Sequence, residues 1–145
     1  MNIVRTPIEV RYQETDQMGV VYHANYFIWF EIGRTKFIEY LGFTYTEMEK
    51  DGIVSPVIDA QIQYKRPIHY GDNVIIETWL ENYDGIRTKY GYRVIGNDKT
   101  AATGATKHVI VNKDTFKPLS LRRAFPEWHK AYKNYIGAKT NGFRD

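Results

Sequence analysis

Residues 25–41 constrain this chain more than any other stretch. Tyr26, Phe27, Ile28, Trp29, Phe30, Ile32, Phe37, Ile38, Tyr40 and Leu41 leave only a narrow polar strip of Glu31, Arg34, Thr35 and Glu39, at three- to four-residue spacing. A helix that is apolar around most of its circumference has to be wrapped by other structure. Asn25 reads as its N-cap and Gly42 as the residue just past its end. Gly33 in mid-helix costs roughly 1 kcal/mol relative to alanine. Such a residue is expected where a neighbouring element must come close.

The flanking segments supply the wrapping. Residues 2–14 alternate, with Val4, Thr6, Ile8, Val10 and Tyr12 on one face and Arg5, Glu9, Arg11 and Gln13 on the other. That period predicts a half-buried strand, and Pro7 predicts an edge position or a bulge. After a helical turn at Thr46–Lys50, the same period returns in Ile58, Ala60, Ile62 and Tyr64, in Val74, Ile76, Thr78 and Leu80, and in Tyr90, Tyr92 and Val94. It closes over 100–111, with Val109 and Val111 opposite His108 and Ile110. Gly71-Asp72-Asn73, Asp84-Gly85 and Gly96-Asn97-Asp98 mark turns, so neighbouring strands are antiparallel. Pro126 opens a final helix with Trp128, Tyr132, Tyr135 and Ile136 as its apolar stripe. The expectation is a single α+β domain over 1–145, an antiparallel sheet of about five strands around one long helix. One such sheet covers only one side of the helix, which leaves apolar surface for a second copy and predicts a homodimer.

Composition narrows the class. The 145 residues are 43% apolar, enough for one real core, and include no cysteine, which excludes disulfides and thiolate metal sites. No apolar run approaches the roughly 20 residues of a membrane span, and the first residues lack signal-peptide character. A cytoplasmic location is the expectation. Residues 1–72 hold 7 Lys+Arg against 10 Asp+Glu, whereas 73–145 hold 13 against 7. The basic half suits either a phosphate-bearing ligand or plain solvated strand faces; no nucleic-acid motif accompanies it.

The segment Arg11–Tyr26 carries the chemistry. Asp16 ends a strand-like run, Gly19 lets a short loop turn, and Tyr22-His23-Ala24-Asn25 opens the helix. A carboxylate, an imidazole and a helix N-terminus thus fall within a few residues. Unpaired N–H groups and the helix dipole there suit a developing oxyanion, while Asp16 suits attack on a carbonyl or deprotonation of water. Asp16 also fits an ordinary turn-capping role around Gln17–Gly19. His23 fits three roles: donor to a carbonyl, partner of Asp16, or filler of the entrance. Tyr22 reads as a packing or pocket-lining side chain, and the Asn25 amide as a cap or a water-orienting group. Glu14, on the same strand face as Asp16, is expected to be solvated. His23, His69, His108 and His129 lack metal-ligand spacing, so neither metal nor cofactor is expected, and no Gly-x-Ser-x-Gly elbow is present.

The run Thr15-Asp16-Gln17-Met18-Gly19-Val20-Val21-Tyr22-His23-Ala24-Asn25-Tyr26 resembles the opening of hotdog-fold acyl-CoA thioesterases. So do Trp29-Phe30-Glu31 with Arg34, and Tyr64-Lys65-Arg66-Pro67 before Tyr70-Gly71-Asp72. The branch is that of 4-hydroxybenzoyl-CoA thioesterase and the small thioesterases of the Tol–Pal system, and the resemblance spans roughly residues 3–135. It implies a central helix wrapped by the sheet, dimers that often pair into tetramers, active sites at the dimer interface, and an acyl-CoA substrate. Asp16 matches the family's carboxylate, and His23 the position whose backbone N–H binds the thioester oxygen. Gly19, Tyr22, Asn25, Tyr26 and Ser55 are implied around the substrate, with Tyr26, Phe27 and Phe30 beside the acyl group. Lys65, Arg66, Arg87 and Lys89 are the candidate partners for the coenzyme A phosphates. A hotdog dehydratase and a non-catalytic acyl-CoA-binding or partner-docking protein are the competing readings. The first places its acid on the helix, whereas Asp16 precedes it; the second leaves Asp16 without a task.

Overall fold

The structure, a computed structural model, describes residues 2–142. The wrapped helix is α1, Asn25–Tyr40, and Trp29, Phe30, Phe37 and Ile38 on it are fully buried. Its C-terminus closes as expected. Gly42 takes φ +99°, its N–H reaches Glu39 O (2.9 Å), and the Phe43 N–H reaches Ile38 O (3.1 Å). This doubled closure satisfies carbonyls the helix would otherwise leave open. The N-terminus differs from expectation. Ala24 holds the cap position in helical conformation, and Asn25 is already the first helical residue. The Asn25 amide is drawn instead to Glu14 O at 2.9 Å.

Strands β1 (Val4–Ile8), β3 (Val57–Tyr64), β4 (Val74–Tyr83), β5 (Arg87–Gly96) and β6 (Lys99–Val109) form one antiparallel sheet in the order β1-β4-β5-β6-β3. The two hairpins in its middle follow from the turn residues: Asn97 and Asp98 both take positive φ (49° and 67°), as a two-residue hairpin of matching twist requires. A two-stranded ribbon, β2 (Ile53–Val54) with β7 (Val111–Asn112), lies apart from that sheet. Helix α2 (Tyr45–Lys50) precedes it, capped by Thr44, whose hydroxyl accepts from Glu47 N. Helices α3 (Leu121–Ala124) and α4 (Pro126–Gly142) complete the fold. As the stripe implied, Trp128, Tyr132 and Tyr135 are buried, with Trp128 stacked on Phe43 at 4.9 Å.

Helix α1 lies on β4, β1 and β5. Gly33 is what permits this: a Cβ there would overlap the Thr78 hydroxyl and come within 3.3 Å of the Ile76 methyls. Phe30 stacks parallel on Tyr92 at 4.2 Å, over the bare backbone of Gly104.

Three expectations are corrected. The first strand stops at Ile8, where its partner β4 begins at Val74 and pairing runs out. Residues Tyr12–Glu14 then form a turn of 3₁₀ helix, and Tyr12 is 76% exposed rather than inward. The 100–111 strand breaks at Ile110: Ile110 and Val111 are both buried because the chain passes from the sheet into the ribbon there. The apolar face of β3 is covered only in part: Ile62 packs against the core, but Ile58 is 53% and Tyr64 46% exposed. This strand is the outer edge of the sheet, where α1 reaches it through Tyr26 on Tyr64, and its other edge has no partner among the described residues.

Candidate active site

The Asp16 loop is a small closed hairpin. Thr15 bridges Val21, Asp16 N donates to Val20 O (2.8 Å), and Gly19 N to Asp16 O (3.0 Å), with Gly19 at φ +78°. The half-buried Asp16 side chain is held on one oxygen. Its Oδ1 accepts from Met18 N (2.8 Å) and Val20 N (3.4 Å), while Oδ2 accepts from no group among the described residues. Turn capping and chemical availability therefore coexist on one carboxylate.

This loop is stitched to the start of α1 through Glu14. The Glu14 carbonyl accepts from Tyr22 N (2.8 Å) and from the Asn25 amide, and Val21 N donates to Ile68 O (2.7 Å). Glu14 itself is buried, 4% exposed, not solvated as expected. Its carboxylate accepts from Arg11 N (2.7 Å) and from the Trp29 indole (3.2 Å), with the Arg11 guanidinium at 3.6 Å. The Trp29 partner lies fifteen residues on, in the second turn of α1, which no local pattern encodes.

At the helix start, Asn25 N donates to Tyr22 O (3.0 Å) and Tyr26 N to His23 O (3.3 Å). The N–H groups of His23 and Ala24 donate to no protein group among the described residues. The His23 imidazole is exposed, tilted against Tyr22 (4.2 Å), and forms no hydrogen bond with Asp16. Tyr26 is buried, and burial together with the neighbouring Tyr64 hydroxyl pushes its pKa up to about 12.

A cavity of about 300 Å³ opens here, lined by Val20, His23, Tyr26, Tyr64, Lys65 and Arg66 among others. Two of the four predicted phosphate-binding cations thus share a space with His23, whose N–H is one of the two open amides. Arg87 and Lys89 do not. They line a separate cavity of about 290 Å³ with Asp84, Thr88 and Lys107, and Arg87 meets Asp84 at 3.9 Å. Ser55 also lies away from the helix start, just before β3 and beside His108. Phe27 lines a second space of about 270 Å³ along α1, with Glu31, Arg34 and Val57. Phe30 lines neither: its stacking on Tyr92 places it in the core.

In the sequence Tyr64 reads as a strand residue and as part of the Tyr64-Lys65-Arg66-Pro67 run, and the structure gives it a further contact. From the last position of β3 its hydroxyl donates to His23 O at 2.7 Å, a contact across 41 residues of sequence.

A closed acid-bearing loop, a helix start with open amides and a sheet wrapped around that helix define a hotdog thioesterase scaffold. Residues 10–131 match the Thioesterase-like superfamily, and the chain belongs to it. It is 51% identical over 134 residues to a candidate acyl-CoA thioesterase of Bacillus subtilis, YneP, covering 92% of this chain and 97% of that one. With the acyl-CoA thioesterase YbgC of Haemophilus influenzae it shares 31% identity over 90% of this chain and 93% of the other. The crystal structure of the DHNA-CoA thioesterase from Staphylococcus aureus superposes with a TM-score of 0.96 at 45% identity, covering 98% of this chain and 96% of that one. No helix among the described residues is long and apolar enough to cross a membrane.

Proposed function

We propose that this chain hydrolyses acyl-CoA thioesters at the junction of the Asp16 loop and α1. The observation that carries the reading is the pair of unpartnered amides, His23 and Ala24, tied through Glu14 to the carboxylate loop. A thioester oxygen seated on those amides gains stabilisation as it becomes an oxyanion, and the helix dipole adds to it. The open Oδ2 of Asp16 acts on the carbonyl carbon, either through a water it deprotonates or by direct attack. Both routes consume one water and release a carboxylate and the coenzyme A thiol. In ¹⁸O water under single turnover, label recovered on Asp16 identifies direct attack, because only a mixed anhydride opened by water at the Asp16 carbonyl puts it there. Lys65 and Arg66 in the same cavity suit the phosphates.

The uncovered edge of β3 supports a working homodimer. From Ser55 to Tyr64 the extended chain runs roughly 30 Å. An antiparallel β3–β3 pairing sets the beginning of one copy's strand beside the end of the other's. That arrangement brings Ser55, Arg87 and Lys89 of a second copy to the helix start of the first. It accounts for the separation of these residues from Asp16 within one chain.

The decisive experiment compares wild type with Asp16→Asn on a panel of acyl-CoAs, following thiol release. Loss of a positioned base or nucleophile lowers kcat by about 10²–10⁴-fold, with binding of acyl-CoA retained. Equal turnover by the two proteins would move the chemistry to another residue.

A further inference from the structure

We propose that Tyr64 is a positioning residue for this hydrolysis, its hydroxyl fixing and polarising the peptide that presents the Ala24 N–H; the proposal rests on the hydrolase reading above. The Tyr64 hydroxyl donates to His23 O at 2.7 Å, whereas the helix's own bond to that carbonyl, from Tyr26 N, is a longer 3.3 Å. A peptide unit is planar, so holding its oxygen sets the direction of its N–H on the opposite side. A hydrogen bond at the oxygen also polarises the unit and strengthens its N–H as a donor. The preceding peptide, which presents the His23 N–H, is held from within the helix by Asn25 N on Tyr22 O. Of the two open amides, one is therefore fixed by the helix and the other from outside, by an edge-strand side chain.

Ordinary helix capping does not explain this contact. The groups left unsatisfied at a helix N-terminus are N–H donors, not carbonyls. The His23 carbonyl already has Tyr26 N, so a further donor supplies nothing the helix lacks. Nor does the fold need the hydroxyl to seat the ring. The Tyr64 ring packs edge-on against Tyr26 (5.1 Å, 86°) and against His23 (6.3 Å, 86°). The contact acts on the peptide that joins His23, which lines the cavity shared with Lys65 and Arg66, to Ala24, whose N–H is open.

The test is Tyr64→Phe, which keeps the ring and removes the donor. For an acyl-CoA that wild type hydrolyses, kcat falls about 3- to 10-fold, the loss of one neutral hydrogen bond, while KM stays within about twofold. The melting temperature stays within about 2 °C, because Tyr64 is half exposed. In the ¹⁵N–¹H spectrum the Ala24 amide proton moves upfield. An unchanged kcat, a loss carried by KM alone, or an unmoved Ala24 resonance would overturn the proposal. Absence of thiol release by wild type on the whole panel would instead sink the hydrolase reading, and the Ala24 resonance would still decide whether Tyr64 holds the peptide.

Discussion

Acidification should expose one buried imidazole as a liability of the folded state. His108 is 1% exposed and ends a hydrogen-bond chain whose directions are fixed at both ends. The Arg34 guanidinium can only donate, and it meets the Tyr92 hydroxyl at 3.2 Å. Tyr92 then donates to the Thr106 hydroxyl (2.6 Å), and Thr106 to His108 Nε2 (2.9 Å). His108 Nδ1–H ends the chain on Ser55 O (3.1 Å), so the neutral Nδ1 tautomer is the one that fits. A second proton on Nε2 would face a hydroxyl already committed as a donor. Burial, and then the charge of Arg34, hold the His108 pKa at about 4 instead of 6.5. Between those values the unfolded chain binds a proton that the folded chain does not, so stability rises with pH there. The group's contribution is complete above about pH 6.5 and is lost as pH falls towards 4, about 3 kcal/mol in all. Urea unfolding at fixed protein concentration from pH 7 to 4 measures it. Wild type should lose about 3 kcal/mol more than His108→Gln, which lacks the titration. Parallel curves for the two proteins, or a folded-state NMR titration of His108 near 6.5, would refute the reasoning.

Two further outcomes are expected. Gly33→Ala gains about 1 kcal/mol of helix propensity but overpacks against buried Thr78 and Ile76, a cost of about 1–3 kcal/mol. The net is a destabilisation of about 1 kcal/mol by thermal unfolding, smaller when Thr78→Ala accompanies it, and a more stable single variant would contradict the close approach. Replacing Lys65 and Arg66 together by alanine should raise KM for acyl-CoA several-fold with kcat kept, and flatten the dependence of KM on salt. A fall in kcat alone would remove them from phosphate recognition.

The parts of this molecule legible in its sequence are those set by near neighbours. The apolar circumference of 25–41, the glycine that closes that helix, the Asp84-Gly85 and Asn97-Asp98 hairpins and the Trp128–Tyr135 stripe all follow from local periodicity and turn chemistry. The Asp16 loop was legible through the spacing of Asp16, Gly19 and His23. What escaped depends on partners far along the chain. Glu14 looks like any strand carboxylate until the Trp29 indole is found above it. Asn25 looks like a cap until the Glu14 carbonyl takes its amide. The four cations read as one group, but Lys65 and Arg66 follow the last residue of β3 whereas Arg87 and Lys89 open β5 at the opposite end of the sheet, in a separate cavity. A charge count along the sequence has no means of registering that distance.

The bare rim of β3 also bears on how a single copy of the chain meets other polypeptides. Its eight residues contain neither proline nor glycine, and Val57, Ile58, Ile62 and Tyr64 are set along a row of open backbone groups. Such a rim accepts any extended polypeptide, not only the right one. The irregular pairing between Val57 and Asp59, where the ladder with β6 slips, and the charge of Asp59 are the features that discourage misregistered stacking. A single copy of the chain is thus most exposed to aggregation along this strand.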